Sequence, residues 1–212
     1  MEEKEGHNNK KISLLKKIWR FIWHDDSFLG WIVSLVVIFL IVKFIFFPVL
    51  FLVTGTKLPL VVVESCSMYH PSTGTPFVNF GEWWKGKSGN YKPFDIDKEM
   101  FEEFSIKNGF NKGDIIFAIG RNPDKIGLGE IIIFNAEQQH PIIHRIVKIS
   151  TTNDERTFST LGDNNPAQHP FEKSINENQA IGKAVAKIPY VGWIKLIFFD
   201  WKKPSGERGF CG

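Results

Sequence analysis

From Phe28 to Phe47 almost every side chain is apolar. At ~1.5 Å of rise per residue a helix over this run reaches roughly 30 Å, the thickness of a bilayer core. The run is therefore read as one transmembrane helix. Lys43 is its single charge; at the bilayer centre it would cost at least ~2.5 kcal/mol, but near the far end it can snorkel outward. Pro48 is expected to mark a kink or exit, with Val49 to Val53 finishing at the interface. A cleaved signal peptide fits less well, because the run is too long and no small-residue cleavage site follows it closely.

The span divides the chain into three parts: a leader over 1–27, an anchor and interfacial exit over 28–53, and a domain over 54–212. In the leader Lys10, Lys11, Lys16, Lys17 and Arg20 alternate with Ile12, Leu14, Leu15, Ile18, Trp19, Ile22 and Trp23. That pattern suits a helix at the headgroup level, and equally an unstructured basic leader. Those cations precede the span, while after it Lys57 stands alone before Lys85. The asymmetry puts the leader in the cytoplasm and the domain outside, in a single-pass cell-membrane topology.

Net charge is +3, with no basic block interleaved with aromatics in the later two-thirds, which argues against a nucleic-acid partner. Cys66 and Cys211 are too few for a disulfide framework and lack zinc-site spacing, so they do not reveal the redox compartment. His7, His24, His70 and His140 show no metal-ligand spacing either. Neither a metal nor another cofactor is expected.

After the span, Leu60 to Val63 is a β-branched run that leads into Ser65-Cys66-Ser67-Met68. A strand this apolar holds its last residues rigidly. Residues 71–110 read as an insertion, with the aromatics Phe80, Trp83 and Trp84 and a short helical patch from about Asp97 to Phe104. Short β-branched runs follow: Asp114 to Ile119, Glu130 to Asn135, Pro141 to Ile149, Arg156 to Leu161 and Gln179 to Ile188. Without intervening helices they predict a mainly β, antiparallel domain, barrel-like or of two packed sheets. The apolar segment from Tyr190 to Phe199 is too short to span and suits packing on the domain or resting on the membrane surface.

Three features stand out: the Ser65-Cys66-Ser67-Met68 run, His144-Arg145 within an apolar strand, and Gly162-Asp163-Asn164-Asn165 after another. They supply a hydroxyl, an imidazole and a carboxylate. Amide hydrolysis by serine needs a base, and an imidazole of pKa near ~6.5 is mostly neutral at pH 7 and can take that proton. A carboxylate on its other nitrogen fixes the tautomer. Singly each has a plain alternative: a turn serine, a satisfied core histidine, a turn composition. Alternation along Pro141 to Ile149 puts His144 on one face with Ile142 and Ile146, and Arg145 on the other.

The ordered set Thr54-Gly55-Thr56, Pro59 before the valines, Ser-x-Ser-Met, Lys112-Gly113-Asp114, Pro141-Ile142-Ile143-His144-Arg145, Gly162-Asp163-Asn164-Asn165 and Pro189-Tyr190-x-Gly192 resembles type I signal peptidase. It is similar to the archaeal and endoplasmic-reticulum branch, where histidine replaces a lysine base. The resemblance covers roughly residues 28–70 and 111–195. It implies Ser67 as nucleophile, His144 as general base, and an oxyanion hole from the Ser65 hydroxyl and the Ser67 backbone N–H. Asp163 matches the family's first acidic position and is the acid expected to orient His144. The family often keeps a second Asp a few residues on, often the one that orients histidine, where this chain reads Pro166 to Glu172. Either Asp163 orients the base alone, or Glu172 or His169 takes part, or catalysis is weakened, and Glu172 is held as the substitute acid.

Cys66 stands where the family usually has Gly, and adjacent strand residues face opposite ways, which favours Ser67 over Cys66 as nucleophile. Asp114 and Arg145 read as structural. The implied activity is a membrane-anchored serine endopeptidase that removes signal peptides with small residues at the −1 and −3 positions. Its implied partners are preproteins, membrane lipid and the secretion translocon. The rivals are a self-cleaving repressor-type protease and a non-catalytic, preprotein-binding subunit of a processing complex.

Overall fold

The computed structural model describes residues 27–71, 80–120, 125–138, 140–153 and 155–211. The leader, apart from Ser27, lies outside them. Two compact units result, the first ending at Leu52 and the second beginning at Val53.

In the first unit Ser27 caps a helix by accepting the Gly30 N–H at 3.0 Å. The helix runs as α1 (Phe28–Ile41), a π turn (Val42–Phe46) and α2 (Phe47–Thr54). Together these form a 27-residue apolar helix, long enough to cross a bilayer. Pro48 does not end it. A proline ring clashes with the carbonyl four residues back, and the widened turn just before Pro48 accommodates that clash without breaking the helix.

In the second unit the alternating and β-branched runs become one antiparallel sheet, the mainly β fold expected. Its strands are β1 (Leu60–Val62), β2 (Ile115–Ile119), β3 (Ile131–Phe134), β4 (Ile142–Thr152), β5 (Glu155–Leu161), β6 (Ile175–Asn176) and β7 (Ala180–Ile188). They stand in the order β1-β2-β7-β3-β4-β5-β6. β3 is buried along its whole length, which is why it reads as an unbroken apolar run. Among the described residues β1 pairs only with β2, which leaves its other edge open among them. β4 is long and pairs with β3 through Ile142 to Arg145, whereas β5 joins it only from Arg145 onward. Ile142 to His144 thus present a second open edge.

Around the sheet, the insertion forms α3 (Phe80–Tyr91) and α4 (Lys98–Glu102). Trp83, Trp84, Tyr91 and Phe101 pack with Val147 of β4 and Leu161 of β5 into one aromatic core. Each fully buried large side chain there contributes about 1.5–3 kcal/mol. Gly81, Gly86 and Gly89 give α3 weak intrinsic helicity, so this packing is what holds it. A second core joins Ile132, Phe134, Ile146 and Phe158, and a third joins Val63, Met68, Phe110 and Ile116. After β7 the chain forms α5 (Trp193–Leu196) and returns to the start of the domain.

Candidate active site

The nucleophile candidate sits in a turn, not on a strand. Ladder bonds from Val63 N–H to the Asp114 carbonyl and from Gly113 N–H to the Val63 carbonyl, both 2.9 Å, are the last before the chain bends. Tyr69 N–H then closes a turn on the Cys66 carbonyl at 3.1 Å. Met68, almost fully buried, anchors the turn in the third core. The Gly162-Asp163-Asn164-Asn165 loop clamps it from the other side: Asn164 N–H donates to the Ser67 carbonyl at 2.7 Å, and Asn164 Nδ2 donates to the Cys66 carbonyl at 3.0 Å. The insertion supports the loop in turn, with Lys87 Nζ on the Asn164 carbonyl at 2.7 Å and Asn90 Nδ2 on the Asn165 carbonyl at 2.9 Å.

Into this frame β4 brings His144, on the face alternation gave it. Its Nε2 lies 2.9 Å from Ser67 Oγ, and its Nδ1 lies 2.5 Å from Glu172 Oε1. Glu172 ends a short 3-10 turn (Pro170–Glu172) and is fully buried. Thr160 Oγ1 donates to the same oxygen at 3.2 Å, and His169 N–H donates to Oε2 at 2.8 Å. A carboxylate accepts at such a contact, and the tautomer with the proton on Nδ1 would donate to Glu172 and leave Nε2 to accept from the serine hydroxyl. Ser65 Oγ stands 3.1 Å from Ser67 Oγ, on the open side of the turn. Gly162 abuts the imidazole so closely that a Cβ there would lie 2.8 Å from His144 Nε2 and 2.6 Å from Asn165 Nδ2.

Asp163 does not meet His144. Its carboxylate accepts from Arg145 Nη2 at 2.7 Å and Nε at 3.0 Å, from Tyr91 Oη at 2.9 Å, and pairs with His70 Nε2 at 2.9 Å. Arg145 leaves the opposite face of β4 from His144, and Asp163 follows it there. Burial alone would raise the Asp163 carboxyl, but the Arg145 guanidinium and the His70 bond outweigh it and hold the group well below the usual carboxylate range. Burial pushes His70 below its ordinary value despite that bond. The guanidinium also donates to the Ser105, Gly129 and Ile106 carbonyls, tying the insertion to the sheet. Asp114 accepts the N–H groups of Asn111 at 2.9 Å and Tyr190 at 3.1 Å, which makes it a turn support.

Cys66 is not a thiol. It is joined to Cys211 by a disulfide, with Cα atoms 5.6 Å apart. The expectation that strand alternation turns it away from the site is replaced by this bond, since the residue lies in a turn. His169 reaches the site through its backbone, while its ring stacks on Phe171 at 5.2 Å between centroids. Among the described residues no group of three or more His, Cys, Asp or Glu side chains could hold a metal ion.

A groove of about 850 Å³ opens beside Ser67 and His144. Its sides include Leu60 and Val62 of β1 and Ile142 and Ile143 of β4, the two open edges. Lys195, Lys203 and Glu207, from the segment after β7, also line it, and nothing in the sequence pattern pointed to them. The arrangement can deprotonate a hydroxyl next to an extended chain.

No family model matches the chain. Curated relatives do. The signal peptidase complex catalytic subunit SEC11C of Homo sapiens is 31% identical over 106 residues, which are 47% of this chain and 55% of the relative. The catalytic subunit SEC11 of Pyricularia oryzae is 32% identical over 110 residues, 48% of this chain and 64% of the relative. The subunit sec11 of Schizosaccharomyces pombe is 29% identical over 121 residues, 46% and 64%. The chain thus spans somewhat more than half the length of the relatives it matches.

Proposed function

Starting from homology to signal peptidase catalytic subunits, we propose that this chain is a membrane-anchored serine endopeptidase that removes signal peptides from exported preproteins. The observation that supports the reading is the Ser67–His144–Glu172 chain of contacts: hydroxyl, imidazole and buried carboxylate, with both imidazole nitrogens engaged. Ser67 Oγ attacks the scissile carbonyl as its proton passes to His144 Nε2. Glu172, held by Thr160 and His169, stabilises the imidazolium that forms. The tetrahedral oxyanion is received by the Ser65 hydroxyl and the Ser67 N–H. His144 then gives its proton to the departing amine, and a water activated by the same imidazole releases the acyl chain.

In this reading Glu172 takes the orienting role and Asp163 a structural one. The two open strand edges support an extended substrate that adds main-chain hydrogen bonds on both sides. Small residues at −1 and −3 would fit between apolar walls. The 27-residue helix supports an anchor, and the disulfide supports an oxidising, extracytoplasmic compartment for the domain. Membrane lipid and the secretion translocon are the partners this topology suits, since the anchor raises the local concentration of preproteins emerging at the bilayer.

The test is cleavage of a preprotein by the full chain in detergent, wild type against Ser67→Ala, His144→Ala and Cys66→Ala. Cutting by wild type that is abolished in the first two supports the proposal. Cutting that survives Ser67→Ala overturns it, and a folded wild type that binds preprotein without cutting favours a non-catalytic subunit.

A further inference from the structure

The segment over 189–211 is a strap. It leaves β7, passes through α5, and returns to the residue before the nucleophile through Cys66–Cys211. On the way it is fastened by an ion pair of the buried Lys112 Nζ with Asp200 Oδ1 at 2.5 Å, by Lys112 Nζ on the Glu207 carbonyl at 2.6 Å, and by Phe210 against Trp193 at 4.6 Å. Its groove-facing side carries Lys195, Lys203 and Glu207.

Where the strap meets the sheet matters. Both main-chain groups of Val63 point to the β2 side, into bonds with Asp114 and Gly113. Along a strand these groups alternate in direction, so the carbonyl of Glu64 points to the open edge. Lys203 Nζ donates to that carbonyl at 2.6 Å, while Lys195 Nζ pairs with the Glu64 carboxylate at 2.9 Å. A chain added along the open edge of β1 would therefore end against the Lys203 ammonium, next to Ser65 and Ser67.

We propose that the strap is a substrate-binding wall at the nucleophile end of the groove, held in place by Cys66–Cys211, with Lys203 a substrate-positioning residue; this rests on the peptidase reading above. The nucleophile does not depend on the strap. Cys66 and Ser67 are gripped by Asn164 and Tyr69 through hydrogen bonds to their carbonyls, none of which involves the disulfide sulfurs. Opening the bond should thus loosen the wall and leave the relay in place, so that substrate binding suffers and the chemical step does not.

The experiment uses the full chain in detergent, oxidised, reduced with a dithiol, and reoxidised. Reduction adds two electrons and two protons to the bond, leaving thiols at 66 and 211, while the reductant closes to its cyclic disulfide. On preprotein cleavage we expect KM to rise about tenfold with kcat within about twofold, reversed on reoxidation. Lys203→Met in the oxidised protein should raise KM about threefold, and Lys92→Met, an exposed lysine outside both strap and groove, should change neither constant. A thermal melt of each sample shows that it is folded. Unchanged KM after reduction, or a loss confined to kcat, overturns the proposal. A second arm needs no turnover: a fluorescent peptide spanning a cut site is bound to Ser67→Ala protein, oxidised and reduced. Equal affinity in the two states overturns the wall. Failure of oxidised wild type to cleave would instead count against the peptidase reading and leave this arm decisive.

Discussion

His144 with Glu172 and His70 with Asp163 are the same two functional groups in two settings. Both pairs are buried, at 2.5 Å and 2.9 Å. His70 is closed in: its ring stacks on Trp83 at 3.7 Å, and its carboxylate is shared with Arg145 and Tyr91. His144 has its second nitrogen on a serine hydroxyl and borders the groove. A histidine–carboxylate pair that also meets a serine hydroxyl beside a groove is placed to relay a proton; one packed on Trp83 and shared with Arg145 is placed to tie an insertion to a sheet.

Mutations should separate the two pairs. Ser67→Ala or His144→Ala should lower kcat for preprotein cleavage by on the order of 10⁴-fold or more, measured against folded protein. Glu172→Gln keeps the shape but offers a different partner to Nδ1, and should lower kcat on the order of 10³- to 10⁴-fold. Gly162→Ala pushes a Cβ against the imidazole, and should cost kcat about 10²-fold through misplacement of the base, with little change in thermal midpoint.

Asp163→Asn should act on the other pair. Removing its charge leaves Arg145 buried without a counter-charge, a loss of about 3–5 kcal/mol in denaturant unfolding. Its carboxyl is held below the ordinary value in the folded protein. The stability it supplies is therefore complete above the unfolded carboxylate pKa of ~3.9 and is lost as pH falls below it toward the lower folded value. Unfolding curves of wild type and Asp163→Asn should converge only below about pH 4. A gap that closed near pH 6 would contradict this role.

The sheet was legible because β-branched runs such as Ile131 to Phe134 are short and lie between clear turn residues. β6 was not, because Ile175–Asn176 is too short to carry a pattern. Helix α3 hid behind its glycines, since its stability comes from the burial of Trp83, Trp84 and Tyr91 against β4 and β5. The proposed serine and base, Ser67 and His144, were legible as residue types within motifs. Choosing the acid required three dimensions: Asp163 is close in sequence to the expected place but follows Arg145 to the opposite face, while Glu172 is delivered by a 3-10 turn after Pro170. The disulfide was illegible for the same reason, as its cysteines are 145 residues apart and only the returning strap joins them.

The most direct measurement is the ratio of kcat for Glu172→Gln to kcat for Asp163→Asn, on one preprotein, at a pH and temperature where both variants are folded. With Glu172 orienting His144 and Asp163 supporting the fold, the Asp163→Asn enzyme should retain at least about a third of wild-type kcat. Glu172→Gln should then fall about a thousandfold or more below it. A Glu172→Gln enzyme that turns over as fast as wild type, beside a folded Asp163→Asn enzyme that does not, would contradict the account.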